Sequence, residues 1–164
     1  MALLNALLAL ALAYLIGSFS PGFFLGWILK RIDIRKRGNR NTGASNVYNV
    51  LGFDAALLTL VLDISKGVAA MIIAINLGLG EPLVYLAGLF AVIGHIWPFY
   101  LGFRGGKGVA ASLGVIVMSL YYYHTTFSLV FSALLFIYIL SVSPRIRKRL
   151  FGIARINKKS SKKT

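Results

Sequence analysis

The residues best equipped for chemistry crowd one short stretch, Gly94-His95-Ile96-Trp97-Pro98 followed by Gly102-Phe103-Arg104-Gly105-Gly106-Lys107-Gly108. Gly105, Gly106 and Gly108 allow backbone N–H groups to approach an anion with no Cβ in the way. Successive N–H groups facing one concavity form an anion nest. The residues from Val109 onward read as a helix, whose N-terminus adds partial positive charge at the same place. Lys107 supplies a full charge and His95 a titratable ring. The spacing suits a phosphate held at a membrane surface. It is not a nucleotide P-loop, because Leu101 stands where that motif has its first glycine and Gly108 where it has its hydroxyl. The plain alternative is a helix–helix connection whose glycines serve close packing.

Two further clusters could reach such a site. Asp63 and Lys66 lie three apart, neighbours on one helical face, inside an otherwise apolar run. Ionisable groups at membrane depth are costly and usually face a bundle interior or a wet cavity. Either the pair pins helices together or Lys66 touches substrate. The stretch from Lys30 to Gly52 opens basic and turns polar, with Arg40, Asn41, Gly43, Ser45 and Asn46 offering neutral and charged donors to phosphate or hydroxyl groups. It is long for a connection, and long loops in compact domains are often functional. The plain reading is a solvated loop. There is no Ser-His-Asp spacing, no surface carboxylate pair and no metal-ligand cluster, and without cysteine there is no thiolate chemistry.

The elements that must position these groups follow from composition. The 164 residues are 58% hydrophobic and 13% charged, against roughly 25% charged in soluble domains. This predicts an all-α, polytopic membrane bundle. A first span covers residues 2–29, bent at Pro21, and it lacks the basic leader of a cleaved signal peptide. Ser18, Gly22 and Gly26, four apart, predict a close helix–helix contact. Further spans are expected at 53–76, 81–98, 109–121 and 125–142, the last two joined by a turn at His124, to which no chemistry is assigned. Residues 1–143 form the membrane domain, and 144–164 a disordered, strongly basic tail.

Of the 18 Lys and Arg, 17 fall in the 30–40 segment, the glycine loop or the tail, the exception being Lys66. Five spans put all three segments on one side, which the positive-inside rule makes cytoplasmic, leaving the N-terminus outside. The tail should cling to anionic lipid. Although the formal charge of +14 also suits nucleic acid, its placement beside membrane spans argues for lipid.

These residues carry a resemblance. Asp33-Ile34-Arg35 with Gly38, Asn41 and Gly43-Ala44-Ser45-Asn46, preceded by Gly17-Ser18, resembles the first signature of the acyl-phosphate-dependent glycerol-3-phosphate acyltransferases, the PlsY type. Asp63-Ile64-Ser65-Lys66-Gly67 resembles that family's second-helix motif, and Gly94-His95 through Ala110 its glycine-rich loop. The three stand in the family's order from about Ile16 to Gly114. The resemblance implies a cell-membrane transferase of phospholipid synthesis. It would move a fatty acyl group from acyl phosphate to glycerol 3-phosphate without metal, coenzyme A or other cofactor. Lys107 and His95 would serve catalysis. Gly105, Gly106, Gly108, Asn41, Gly43, Ser45, Asn46, Lys66 and Arg40 would bind substrate.

The departures fall on the acceptor side. Gly38-Asn39-Arg40-Asn41 stands where the family has Gly-Ser-Gly-Asn, Asn49 where it has Arg, and Ala111 where it has Thr. In the family that Ser and Arg help hold glycerol phosphate, and two further spans carry a His- and Asn-containing motif on the same substrate. Arg40 could replace lost charge, and self-association into a homo-oligomer could replace the further helices. The alternative to an acyltransferase is a non-catalytic relative that binds phospholipid or a partner enzyme.

Overall fold

The computed structural model describes residues 1–123 and 125–142. His124 and the basic tail over 144–164 lie outside the described residues. The fold is all-helical, as the composition predicts. Its helices are α1 (Ala2–Ser18), α2 (Pro21–Lys30), α3 (Ala44–Leu51), α4 (Phe53–Asn76), α5 (Glu81–Ile96), α6 (Val109–Tyr122) and α7 (Thr126–Val142), with 3-10 turns at Ile34–Lys36 and Phe99–Leu101. Among the described residues, three stretches are long and apolar enough to cross a membrane: Ala2–Lys30, Phe53–Asn76 and Glu81–Leu101. α6 and α7 are apolar but shorter.

The first span is broken rather than bent. Pro21 sits at the first position of α2, where its missing N–H costs nothing. Phe19 and Ser20 between the helices are extended. A break at membrane depth survives only if neighbours satisfy the freed backbone groups. Lys66 Nζ donates to Phe19 O at 2.7 Å and to Gly17 O at 3.3 Å. The Tyr100 hydroxyl donates to Ser18 O and accepts from Ser20 N.

The Ser18, Gly22, Gly26 pattern therefore does not form one helical face. A Cβ at Gly22 would overlap Thr42 O, and one at Gly26 would press on Ile32 and Ile34. These two glycines admit the polar loop, not a second span. Close span–span contact is made elsewhere. Gly17 on α1 lies against the Ala91 backbone of α5, and Gly67 on α4 against Ala111 O of α6; a Cβ at either would collide. Small residues at these crossings let backbones approach, the main source of packing energy where lipid is as apolar as the core. Leucines such as Leu3, Leu4 and Leu7 on α1 and Leu129 and Leu134 on α7 stay exposed.

The 30–52 stretch is more ordered than a solvated loop, since it contains the 3-10 turn and all of α3. Ile34 and Val47 are fully buried there in a small core with Ala55 and Ala56. A helix of eight residues among Asn, Gly and Ser has too weak a local signal to be read from sequence.

Candidate functional site

The first polar residues to settle are those inside the 30–52 stretch. Asn46 is fully buried at the start of α3. Its Nδ2 donates to Ile34 O, Arg37 O and Asn41 O, and its Oδ1 accepts from Asn39 N. One amide thus organises the whole turn. Gly38 passes so close, with φ +55°, that a Cβ would overlap Asn46 Oδ1. Asn41 Oδ1 accepts from Gly43 N, shaping the entry into α3.

Arg35 then ties this stretch to the glycine loop. Its guanidinium pairs with Asp33 at 2.9 Å, donates to Leu101 O at 2.6 Å, and lies over the Phe23 ring. The hydrogen bond from Arg35 holds the Asp33 carboxyl below its usual range.

The two halves enclose a cleft of about 460 Å³. Part of its lining is polar, with Asn39, Asn41, Ser45, Asp63, His95 and Lys107. Part is apolar, with Leu60, Leu113, Phe136, Ile139 and Val142. Two helices begin in the lining, α3 at Gly43–Ser45 and α6 at Val109 and Ala110. Each contributes unspent N–H groups and partial positive charge. Gly108, at φ +75°, sets the turn into α6 in a conformation that favours glycine. Lys107 is exposed between them, and its carbonyl accepts from Tyr138 of α7 at 2.7 Å.

Asp63 and His95 of this lining form a buried polar cluster with Lys66. Asp63, Lys66 and His95 are 1, 4 and 6% exposed. Lys66 Nζ is 2.7 Å from Asp63 Oδ1 and 3.0 Å from His95 Nδ1; His95 Nδ1 is 3.3 Å from Asp63 Oδ1. A charge here is tolerated because it is paired and bonded to carbonyls.

The structure assembles some of the expected residues and re-assigns others. Lys107, His95, Asn41, Gly43, Ser45 and Asn46 line one cleft. An anion nest across Gly105 and Gly106 is not what the loop forms: Gly105 N donates to Ile96 O at 3.0 Å and Gly106 N to His95 O at 2.9 Å. These glycines are needed for packing, since a Cβ at Gly105 would strike His95 O and Pro98, and one at Gly106 would overlap His95 Nε2. Gly108 is buried and faces Val92 and Ile96. The free N–H groups are those of the α6 N-terminus. Lys66 does not line the cleft. Arg40 is exposed, at φ +62°, between the lining residues Asn39 and Asn41 and is not itself among the lining. Sequence reasoning missed the apolar wall. Phe136, Ile139 and Val142 share one face of α7, but nothing local distinguishes an apolar residue facing a cleft from one facing lipid.

The profile of the glycerol-3-phosphate acyltransferase family matches residues 7–151. The chain belongs to that family. It is 51% identical over 110 residues to glycerol-3-phosphate acyltransferase of Shouchella clausii, covering 66% of this chain and 54% of that one. It is 47% identical over 115 residues to the protein of that name from Synechococcus sp. (70% of this chain, 58% of the other). The Streptococcus thermophilus protein is 38% identical over 134 residues (82% and 63%). The chain thus spans between about half and just under two thirds of these relatives' length.

Among solved structures it is similar to PlsY (YgiH), an integral membrane glycerol 3-phosphate acyltransferase, in its glycerol 3-phosphate form. The TM-score is 0.70 at 27% identity, covering 90% of this chain and 92% of that one. The lysophosphatidic acid form matches with a TM-score of 0.64. Of the departures from the acyltransferase pattern, Asn39 lines the cleft, whereas Asn49 is exposed on α3 outside it.

Proposed function

We propose that the chain transfers a fatty acyl group from an acyl phosphate to glycerol 3-phosphate, releasing phosphate and lysophosphatidic acid. The observation that carries this reading is the mixed lining of one cleft, which brings Lys107 and two helix N-termini together with apolar side chains. An acyl phosphate combines the same two characters, an anionic head and an apolar chain. In this reading Lys107 and the α6 N-terminus hold the donor's phosphate, and the acyl chain lies along Leu60, Leu113 and Phe136. Asn41, Ser45 and the N-terminus of α3 face the acceptor's phosphate.

Phosphate is a good leaving group, so positioning and charge neutralisation carry most of the burden. The acceptor hydroxyl forms the new C–O bond at the acyl carbonyl, the bond to phosphate breaks, and the hydroxyl proton leaves on a phosphate oxygen. No side-chain base is required. The loop-bearing face is cytoplasmic in this reading, by the clustering of Lys and Arg.

Purified protein incubated with palmitoyl phosphate and a panel of polyol phosphates tests the proposal. Acceptor-dependent release of phosphate, with glycerol 3-phosphate preferred, supports it. Donor binding without turnover on any acceptor would favour a lipid-phosphate-binding role instead.

A further inference from the structure

The buried cluster of Asp63, Lys66 and His95 has no part in the chemistry above, yet it abuts the glycine loop. Its geometry constrains the imidazole. Lys66 Nζ has three oxygen acceptors within reach, Asp63 Oδ1 at 2.7 Å, Phe19 O at 2.7 Å and Gly17 O at 3.3 Å, and lies 3.0 Å from His95 Nδ1. So many acceptors around one nitrogen require an ammonium that donates to them. Nδ1 thus sits against the Asp63–Lys66 pair, 3.0 Å from the ammonium and 3.3 Å from Asp63 Oδ1, where it accepts from the one or donates to the other according to its tautomer. The ring's other nitrogen, Nε2, occupies the space that a Cβ on Gly106 would fill. The same histidine accepts Gly106 N through its carbonyl. The ring is therefore held on two sides, its Nδ1 edge against the α4 ion pair and its Nε2 edge packed against Gly106. The groups facing the ring are Asp63 and Lys66 from α4 and Gly106 from the loop, with Lys107 next in the chain.

We infer that His95 is a positioning residue: it couples the Asp63–Lys66 pair to Gly106 and so fixes where Lys107 and the α6 N-terminus stand. Lys66 holds two things at once, the broken α1–α2 backbone and the imidazole. The loop that bears Lys107 is thereby registered against three helices through one ammonium. The inference rests on the proposed acyl transfer for its kinetic readout, but the coupling itself can be read without turnover.

The experiment is a cycle between His95 and Gly106 in the full chain. Asparagine in place of His95 can set its carbonyl near the Nδ1 position and accept from Lys66, but it has no atom at Nε2 and cannot carry a proton at neutral pH. His95→Asn is expected to keep turnover within about tenfold of the native protein with an unchanged pH–rate profile. Loss of a general base would instead cost about 10²–10⁴-fold. Gly106→Ala alone is expected to lower turnover at least tenfold, because the new Cβ strikes Nε2. The double variant His95→Asn with Gly106→Ala should recover most of that loss, since the striking atom is gone. His95→Gln restores an atom near Nε2 and should not rescue Gly106→Ala.

Melting curves in detergent on the same variants give the pattern without substrate. If the native protein turns over no acyl phosphate, the proposed function fails, and rescue of the Gly106→Ala melting temperature by His95→Asn still decides the coupling. Additive effects in both readouts, or a hundredfold loss in a well-folded His95→Asn protein with a changed pH–rate profile, would overturn the inference.

Discussion

Asn46→Asp is the sharpest test of how the polar loop is built. The substitution keeps the side chain's shape, so it opens no cavity. It replaces Nδ2, which donates to Ile34 O, Arg37 O and Asn41 O at 3.0, 3.2 and 2.8 Å, with an oxygen that can only accept. The hydrogen bond from Asn39 N to Oδ1 survives. The two N–H donors shared among these carbonyls are worth about 2 kcal/mol, and setting a carboxylate against three carbonyls in a fully buried site adds about 1 kcal/mol or more, a loss of about 3 kcal/mol in all. That corresponds to roughly a hundredfold rise in the open population of the loop. Hydrogen exchange of the 34–51 backbone in detergent should accelerate by about that factor, while exchange in α5 stays put because its contacts are elsewhere. Turnover should fall with the loop's order. If Asn46 acts mainly by touching substrate, exchange in the unliganded protein is unchanged and only substrate affinity drops. That outcome would refute the account of Asn46 as the loop's organiser.

Lys107→Ala should cut acyl-phosphate binding or turnover roughly ten- to hundredfold, the worth of one charge-assisted contact, with little change in melting, since the loop is held through the Lys107 carbonyl and not its ammonium. The Arg35-bonded Asp33 carboxyl titrates below its ordinary 3.8, so its clamp contributes at neutral pH and is lost only as pH falls through that lowered value; loop exchange, corrected for intrinsic rates, that loosens already in mildly acid buffer would contradict this. Gly67→Leu drives a side chain into Ala111 O where α4 crosses α6, and overpacking of about 2–3 kcal/mol should show as a lower detergent melting temperature. A reporter active only in the periplasm and fused after Thr164 should be silent; activity there would reverse the orientation and move the cleft away from cytoplasmic substrates.

Most helix boundaries were legible in the chain itself, although the run at 2–29 is broken at Phe19 and Ser20 and that at 81–98 ends as a helix at Ile96. The run at 53–76 became α4 with the same ends, and the stretches at 109–121 and 125–142 shifted by about a residue as α6 and α7. A helix in lipid is announced by local composition, because every backbone group must be satisfied within the segment. The motif residues around Lys107, Asn41 and Ser45 were legible for the same reason, their types and spacing being local. What tertiary structure decided is which donors were already spent. Gly105 and Gly106 promised an anion nest, but their N–H groups are bonded to Ile96 and His95 carbonyls that fold back on them. Lys66 read equally as ion pair or substrate ligand until the break at Phe19 and Ser20 supplied the carbonyls that claim its protons. An N–H spent on a carbonyl of the same chain is lost to a ligand, and that carbonyl is brought up by the fold, for Lys66 and Phe19 from 47 residues away.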